Sequence, residues 1–284
     1  MFTTQFQLSP DDLQEQSDIF YIKAKSEHPK GTILFIHGFT SSYLLHHWFI
    51  LNNVFEDYNY LALNLIGHEF NRQEEYKTLK EVDLYTYVRQ LESYIETHHI
   101  YNLILIGHSM GGGVAMLLYD KMKNRINKII LVDAINPAIY HSKLGPNYLL
   151  QTLLNHSKKL ISFQFLKHHP QKSVEYDLSE DYINYEVKRF LDNKNNYLAL
   201  GTKLIEPKLQ AELHRIYKNI NIPVLYIMGE SDRIIPYKQT KKYIQKLDNK
   251  SILFRTINNA AHVPFIDNFD QYNEYVWWFI KKSY

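Results

Sequence analysis

Short, continuously apolar segments recur along this chain and alternate with longer segments whose apolar residues are three or four positions apart. A short apolar run is typical of a strand covered on both faces, as in a parallel sheet, whereas the wider spacing is typical of an amphipathic helix. The pattern predicts buried strands over 32–36, 60–66, 103–106, 128–132, 223–227 and 251–257, a short amphipathic strand over 18–26, and helices over 80–98, 116–123, 236–247 and the C-terminal stretch to residue 284.

The order of these elements predicts an α/β fold. Strands that alternate with helices form βαβ units, which place the strands parallel in one central sheet flanked by helices. The alternation stops between residues 136 and 220, where only helix-like stretches occur. The sequence therefore predicts a core domain formed by residues 1–135 and 221–284, with an inserted helical cap, or lid, formed by residues 136–220. The helices predicted inside the cap are 148–165, 181–191 and 197–217.

Apolar side chains of the predicted cap fit two roles. They can pack onto the core domain, which is the common role of such residues, or they can line a pocket for an acyl chain. We expect packing for most of them. The residues concerned are Leu149, Leu150, Leu153, Leu154, Phe163, Phe165 and Leu166.

The most informative stretch is 102–114, NLILIGHSMGGGV, which predicts a buried strand, a serine between glycines and the start of a helix. Its centre matches the nucleophile-elbow pattern G-x-S-x-G, with Ser109 as the serine. A serine at such a turn has its hydroxyl clear of the sheet, and Gly107 and Gly111 avoid a collision between strand and helix. Ser109 is the candidate nucleophile. The alternative is that a serine and two glycines simply end a core strand.

A serine hydroxyl needs a base to remove its proton and an acid to orient that base. His262 follows the last predicted strand and is the candidate base, and Asp232 follows the strand before it and is the candidate acid. Their order after Ser109 is the one expected for this architecture. The alternatives are a core histidine, a helix-capping role for Asp232, and Asp133 as the acid in its place.

The strand over 32–36 ends at His37-Gly38-Phe39, which indicates backbone that closely approaches another group. We expect the Phe39 N–H, together with the N–H of Met110 at the start of the elbow helix, to form an oxyanion hole. The alternative is an ordinary turn that uses glycine at a strand end.

Composition narrows the chemistry. The 284 residues carry a net charge of only +2, and paired lysines fit solvated helix faces, so we expect no nucleic-acid partner. With no cysteine there is neither a disulfide nor a thiol nucleophile. The histidine pairs 46–47, 98–99 and 168–169 lack metal-ligand spacing, and phosphate-loop motifs are missing, so we expect neither metal nor cofactor.

No apolar run reaches membrane-spanning length and the N-terminus lacks signal-peptide features, so we expect a cytoplasmic protein. The aromatic end of the last helix fits packing against the core better than peripheral contact with a membrane, although the pattern allows both. The aromatic residues there are Tyr275, Trp277, Trp278 and Phe279.

The segments HGF, GHSMGG, GESD and AAH together resemble the α/β-hydrolase superfamily, in particular its capped esterase, lipase and monoacylglycerol-lipase-like members. The resemblance covers residues 32–284 apart from the cap. The sequence differs from the family pattern at 64–71, NLIGHEFN, where many relatives have D-x-x-G-x-G-x-S. Epoxide hydrolases and haloalkane dehalogenases use an aspartate where this chain has Ser109.

The resemblance implies a serine hydrolase that cleaves carboxylic esters through an acyl-enzyme on Ser109. The expected substrates are small-molecule esters with small to medium acyl groups, or esters of the monoacylglycerol and lysolipid kind. The alternatives are an amidase, a peptidase or a carbon–carbon bond hydrolase with the same triad, and a non-catalytic small-molecule-binding protein on this fold.

Overall fold

The computed structural model describes residues 18–46, 49–50, 52–68, 82–141, 188, 191 and 194–283. Of the predicted cap helices, 148–165 lies outside the described residues, and so does 181–191 apart from residues 188 and 191. The seven apolar cap residues considered for an acyl pocket also lie outside them.

Seven strands form one sheet in the spatial order β1-β3-β2-β4-β5-β6-β7. The first strand runs antiparallel to β3, and every other pairing is parallel. This is the mostly parallel sheet that the alternation of elements predicts. The strands are β1 (Ile19–Ile22), β2 (Gly31–Ile36), β3 (Tyr58–Leu63), β4 (Leu103–His108), β5 (Ile126–Val132), β6 (Val224–Gly229) and β7 (Ile252–Ile257).

Helices cover both faces of the sheet: along β2 to β7, alternate side chains belong to two different apolar clusters. In β2, Leu34 and Ile36 pack with the cluster that contains α1, α2 and α4, while Ile33 and Phe35 pack with the cluster that contains α7. The helices are α1 (Leu84–Thr97), α2 (Met110–Lys121), α3 (Lys194–Leu204), α4 (Pro207–Asn219), α5 (Tyr237–Leu247), α6 (Pro264–Asp267) and α7 (Phe269–Lys281), with short 3-10 helices at Tyr43–His46, Lys123–Arg125 and Pro137–His141.

Several element boundaries differ from the sequence prediction by a few residues, and in two of them a side chain binds the backbone at the boundary. The strand predicted to reach residue 66 ends at Leu63, and beyond it Leu65 N donates to His37 Nε2 at 3.0 Å. The helix predicted from residue 80 begins at Leu84, because the Asp83 carboxylate accepts from Thr86 N at 2.8 Å and caps it.

The helix predicted over 197–217 is two helices, α3 and α4, because Pro207 begins the second. Helix α4 packs against α2, and its Tyr217 hydroxyl donates to Ile135 O at 3.2 Å. This helix therefore covers the sheet next to the elbow. The division into a core and a cap formed by 136–220 stays a prediction.

The C-terminal helix α7 packs on the sheet through Tyr272, Val276 and Phe279, as its apolar spacing predicts. Trp277 stacks on Phe49 with ring centroids 5.9 Å apart, while Trp278 is 40% exposed. Across the described part of the chain, each helix is too short or too polar to cross a bilayer.

A buried histidine ties the loop after β2 to the sheet and to α7. The His46 ring stacks on Phe35 and Phe49, with centroids 4.1 and 4.7 Å apart. Its Nδ1 lies 2.8 Å from the Tyr60 hydroxyl and its Nε2 lies 2.8 Å from the Tyr272 hydroxyl. All of these groups are buried, so each hydrogen bond takes the place of one that the group makes with water in the unfolded chain.

We expect Tyr272→Phe to lower the free energy of unfolding by about 1–3 kcal/mol, because it keeps the ring but takes the hydroxyl from a buried imidazole nitrogen. Urea denaturation measures the change. Tyr275→Phe on the same helix is the matched control, since that residue is only half-buried and its hydroxyl accepts one 3.3 Å bond from the Gln271 amide, and it should change the value by less than about 0.5 kcal/mol. Equal losses in both variants would contradict the role of this histidine bridge.

Candidate active site

Ser109 lies at the turn between β4 and α2 with φ 52° and ψ −116°, a conformation that side-chain-bearing residues rarely adopt. Three backbone hydrogen bonds hold it there. Its N–H donates to Val132 O at 2.9 Å, and its carbonyl accepts from Gly112 N and Ile135 N at 3.0 Å each. The neighbouring strand β5 and the turn after it therefore hold the elbow.

The glycines on either side of Ser109 are required by close approach. A Cβ on Gly107 would lie 2.5 Å from Gly111 O, and a Cβ on Gly111 would lie 2.1 Å from Ile36 O. Both distances are shorter than a carbon atom allows. The strand, the turn and the helix can thus meet only when these positions carry no side chain, which is the reason for the G-x-S-x-G spacing.

The structure brings the three predicted side chains together in one relay of hydrogen bonds. His262 Nε2 lies 3.0 Å from Ser109 Oγ, and His262 Nδ1 lies 2.9 Å from Asp232 Oδ2. Ser109, His262 and Asp232 are 7%, 8% and 5% exposed, respectively. Little water therefore competes for the two bonds.

Backbone donors hold the Asp232 carboxyl group in place. Its Oδ1 accepts from Ile234 N at 2.8 Å and from Ile235 N at 3.1 Å, while Oδ2 faces His262 Nδ1. Three donors around one carboxylate favour its charged form. The His262 proton then belongs on Nδ1, so that Nε2 is free to accept the proton of the Ser109 hydroxyl.

Asp133, the other acid considered from the sequence, ends β5 and lies behind Asp232. Its Oδ1 accepts from Gly229 N at 3.1 Å, and burial with the nearby Asp232 charge raises the pKa of Asp133 well above its usual range. Ligand atoms of Asp133, Asp232 and His262 lie within 4.8 Å of one another, so a metal could in principle be held there. Asp232 and His262, however, already bind each other.

The loop after β2 lies directly against the elbow. A Cβ on Gly38 would be 2.9 Å from His108 Nδ1 and 3.1 Å from Ser109 Cβ, so any side chain there would push against the elbow. His37 fixes the loop, because its Nδ1 donates to Gly38 O at 2.8 Å and its Nε2 accepts from Leu65 N. Met110 is the first residue of α2, so its N–H has no acceptor within the helix. The Phe39 and Met110 oxyanion role stays a prediction.

Two further groups next to the site did not stand out in the sequence. His108 Nε2 donates to the carbonyl of His262 at 2.8 Å, and burial with the neighbouring His262 lowers the pKa of His108, which keeps it neutral. Asp267 Oδ2 accepts from Ala261 N at 2.7 Å, and burial raises the pKa of this acid to about 7. The only sequence signal was proximity, since His108 precedes the elbow serine and Asp267 follows His262 by five positions.

A comparison with known protein families matches residues 31–269 to the family described as alpha/beta hydrolase fold. The chain belongs to the α/β-hydrolase fold family. The family and fold expected from the motifs are thus confirmed, since the match includes the elbow and the segments of Asp232 and His262.

Among individual proteins, the chain is similar to "Putative esterase/lipase 1" of Mycoplasma pneumoniae, with 24% identity over 89% of this chain and 92% of that protein. The crystal structure of a bromoperoxidase from Bacillus anthracis superposes with a TM-score of 0.74 and 19% identity, covering 93% of this chain and 95% of that one. An esterase from Exiguobacterium antarcticum superposes with a TM-score of 0.73 and 15% identity over the same shares, 93% and 95%. At these identities the two structures show the fold alone.

We expect His108→Leu to slow the reaction of Ser109 with a fluorophosphonate probe by about tenfold, because the His262 carbonyl loses the hydrogen bond that the His108 ring donates to it. The measurement is the labelling rate at neutral pH under conditions where the variant is folded. His98→Leu, at an exposed histidine after α1, is the control and should label at the wild-type rate. An unchanged rate in His108→Leu would show that the loop holds its position without this bond.

Proposed function

We propose that this protein is a serine hydrolase that cleaves carboxylic esters through an acyl-enzyme on Ser109. One observation carries the proposal: the elbow serine, the His262 imidazole and the Asp232 carboxylate lie in a single hydrogen-bonded relay at the carboxyl edge of the sheet. Such a relay gives a weak nucleophile a base of the right tautomer.

In the first half-reaction, Ser109 Oγ attacks the ester carbonyl while His262 Nε2 takes its proton. The Asp232 carboxylate stabilises the imidazolium that forms, across the 2.9 Å contact with Nδ1. The N–H groups of Phe39 and Met110 would hold the oxyanion, which is the largest electrostatic contribution in reactions of this kind. His262 then gives its proton to the leaving alcohol.

In the second half-reaction, His262 takes a proton from water, which attacks the acyl group on Ser109. The same donors hold the second oxyanion, and return of the proton to Ser109 releases the carboxylic acid. Each step uses only groups of this chain, and no cofactor takes part.

Support for esters over other acyl compounds comes from the relatives. The Mycoplasma pneumoniae protein is described as an esterase/lipase, and its similarity to this chain extends over nearly the whole of both. Because an amidase, a peptidase or a carbon–carbon bond hydrolase would use the same relay, the substrate has to be tested directly. Small to medium acyl esters are the substrates we propose.

We expect Ser109→Ala to lower the hydrolysis of p-nitrophenyl butyrate by at least about 1,000-fold, because no other group in the relay can form the acyl-enzyme. Ser251→Ala, at the opposite edge of the sheet before β7, is the control and should keep wild-type activity. Loss of fluorophosphonate labelling in Ser109→Ala alone would link the probe to this serine. More than a few per cent of residual turnover would overturn the assignment.

A series of p-nitrophenyl esters from acetate to palmitate tests the acyl preference. We expect kcat/KM to be highest for short or medium chains and to depend on Ser109 throughout. An optimum at the longest chains would instead indicate a lipid-directed hydrolase. Labelling of Ser109 without turnover of any ester in the series would favour amide or carbon–carbon cleavage, and absence of both labelling and turnover would favour a binding protein.

A further inference from the structure

The relay has a second acid behind it that the proposed reaction does not use. Asp133 is completely buried, and a carboxyl oxygen of Asp133 lies within 4.8 Å of one of Asp232. Two carboxylates cannot both be charged at such a distance in a buried site, so the pair shares a proton.

The donors around each acid decide where this proton lies. Asp232 faces the N–H groups of Ile234 and Ile235 and the Nδ1–H of His262. Asp133 faces one donor, Gly229 N at 3.1 Å from Oδ1, and within the described part of the chain no donor reaches its buried Oδ2. The acid with three donors is the anion, and the acid with one is the neutral partner.

We propose that Asp133 is a positioning residue whose carboxyl group stays protonated and donates a hydrogen bond from Oδ2 to the Asp232 carboxylate. The inference rests on the proposed function only in so far as Asp232 orients His262. Asp133 touches neither the serine nor the substrate, and it acts on the reaction through Asp232 alone.

The backbone makes Asp133 suitable for this role. Its φ of 44° turns the chain sharply after β5, and its N–H donates to Ile227 O at 3.0 Å on the neighbouring strand β6. The carboxyl group is therefore fixed against the loop that follows β6 and carries Asp232. A fourth hydrogen-bond donor would spread the negative charge of the Asp232 carboxylate. It would also fix the orientation of this carboxylate toward the His262 ring.

The ionisable groups around Asp133 come from four segments and favour its neutral form. Asp232 follows β6, and the Asp267 carboxyl on α6 adds a second nearby negative charge. The Tyr226 hydroxyl of β6 is a buried neutral group beside it, and His262 follows β7. Burial and these acids raise the pKa of Asp133 well above its usual range.

The test that needs no activity is the pH dependence of stability. An acid whose pKa is raised by folding stabilises the native state fully below its unfolded pKa of 3.8, and this contribution is lost as the pH rises toward the folded pKa. Asp133→Asn removes the titration but keeps a donor for Asp232. We therefore expect the variant to gain stability relative to wild type as the pH rises from about 4 to about 9 in urea denaturation.

The Asp267→Asn substitution separates the contributions of the two buried acids to the pH dependence of stability. It is needed because the pKa of Asp267 is also raised, to about 7, and this acid changes the stability in the same direction. The gain caused by Asp133→Asn should persist in the Asp267→Asn background. A constant difference between Asp133→Asn and wild type, or a difference that favours wild type as the pH rises, would show that Asp133 is charged and would overturn the proposal.

The kinetic test compares Asp133→Leu with Asp133→Asn. The leucine removes the donor, so we expect kcat/KM to fall about 10- to 100-fold. In the plot of kcat/KM against pH, the acid limb should shift to higher pH, because Asp232 becomes a stronger base beside His262. The asparagine donates an N–H in place of the O–H, so its loss should stay below about threefold.

Equal losses in both variants, or an acid limb that stays in place in Asp133→Leu, would overturn the positioning role. Should Asp133→Leu fail to fold, Asp133→Asn and the stability measurement still decide the protonation state. Inactivity of the wild type toward every ester would instead contradict the proposed function and leave the stability result interpretable by itself.

Discussion

The left-handed backbone of Ser109 is the constraint on which the rest of the site depends. A side-chain-bearing residue stays in this conformation only when its surroundings hold it there, and here Val132, Gly112 and Ile135 supply the hydrogen bonds. The parallel sheet provides the first of them, because β5 pairs with β4 and ends at Val132, where the Ser109 N–H needs an acceptor. The same sheet edge collects the loops that carry His262 and Asp232, since parallel strands end on one side.

Burial at this edge of the sheet strengthens the hydrogen bonds of the site and also limits which neighbouring groups can be charged. With Ser109, His262 and Asp232 each less than one tenth exposed, their hydrogen bonds are stronger than they would be in water. The same low polarity raises the free energy of every extra charge, which favours the neutral forms of the neighbouring acids and histidines. His108 and Asp133 fit this requirement, the first as a neutral donor to the His262 carbonyl and the second as a proposed neutral donor to Asp232.

Much of the fold could be predicted from the sequence because it depends on local patterns. Apolar runs located the strands of the parallel sheet, and their order gave the α/β class. Two of the misplaced boundaries are those where a distant or local side chain binds the backbone, as His37 does at Leu65 and Asp83 does at the start of α1. Hydrophobic periodicity contains no information on such bonds.

The sequence by itself determined the elbow, because Gly107 and Gly111 are needed by a local collision that any chain with this turn would face. It also predicted which residues follow the strand ends, and so which could meet at the sheet edge. Only the tertiary structure decided which of two acids faces the imidazole: Asp133 and Asp232 both end strands, yet the 2.9 Å contact belongs to Asp232. The reason is that orientation depends on the donors around each carboxyl group, and these come from segments far apart in the chain.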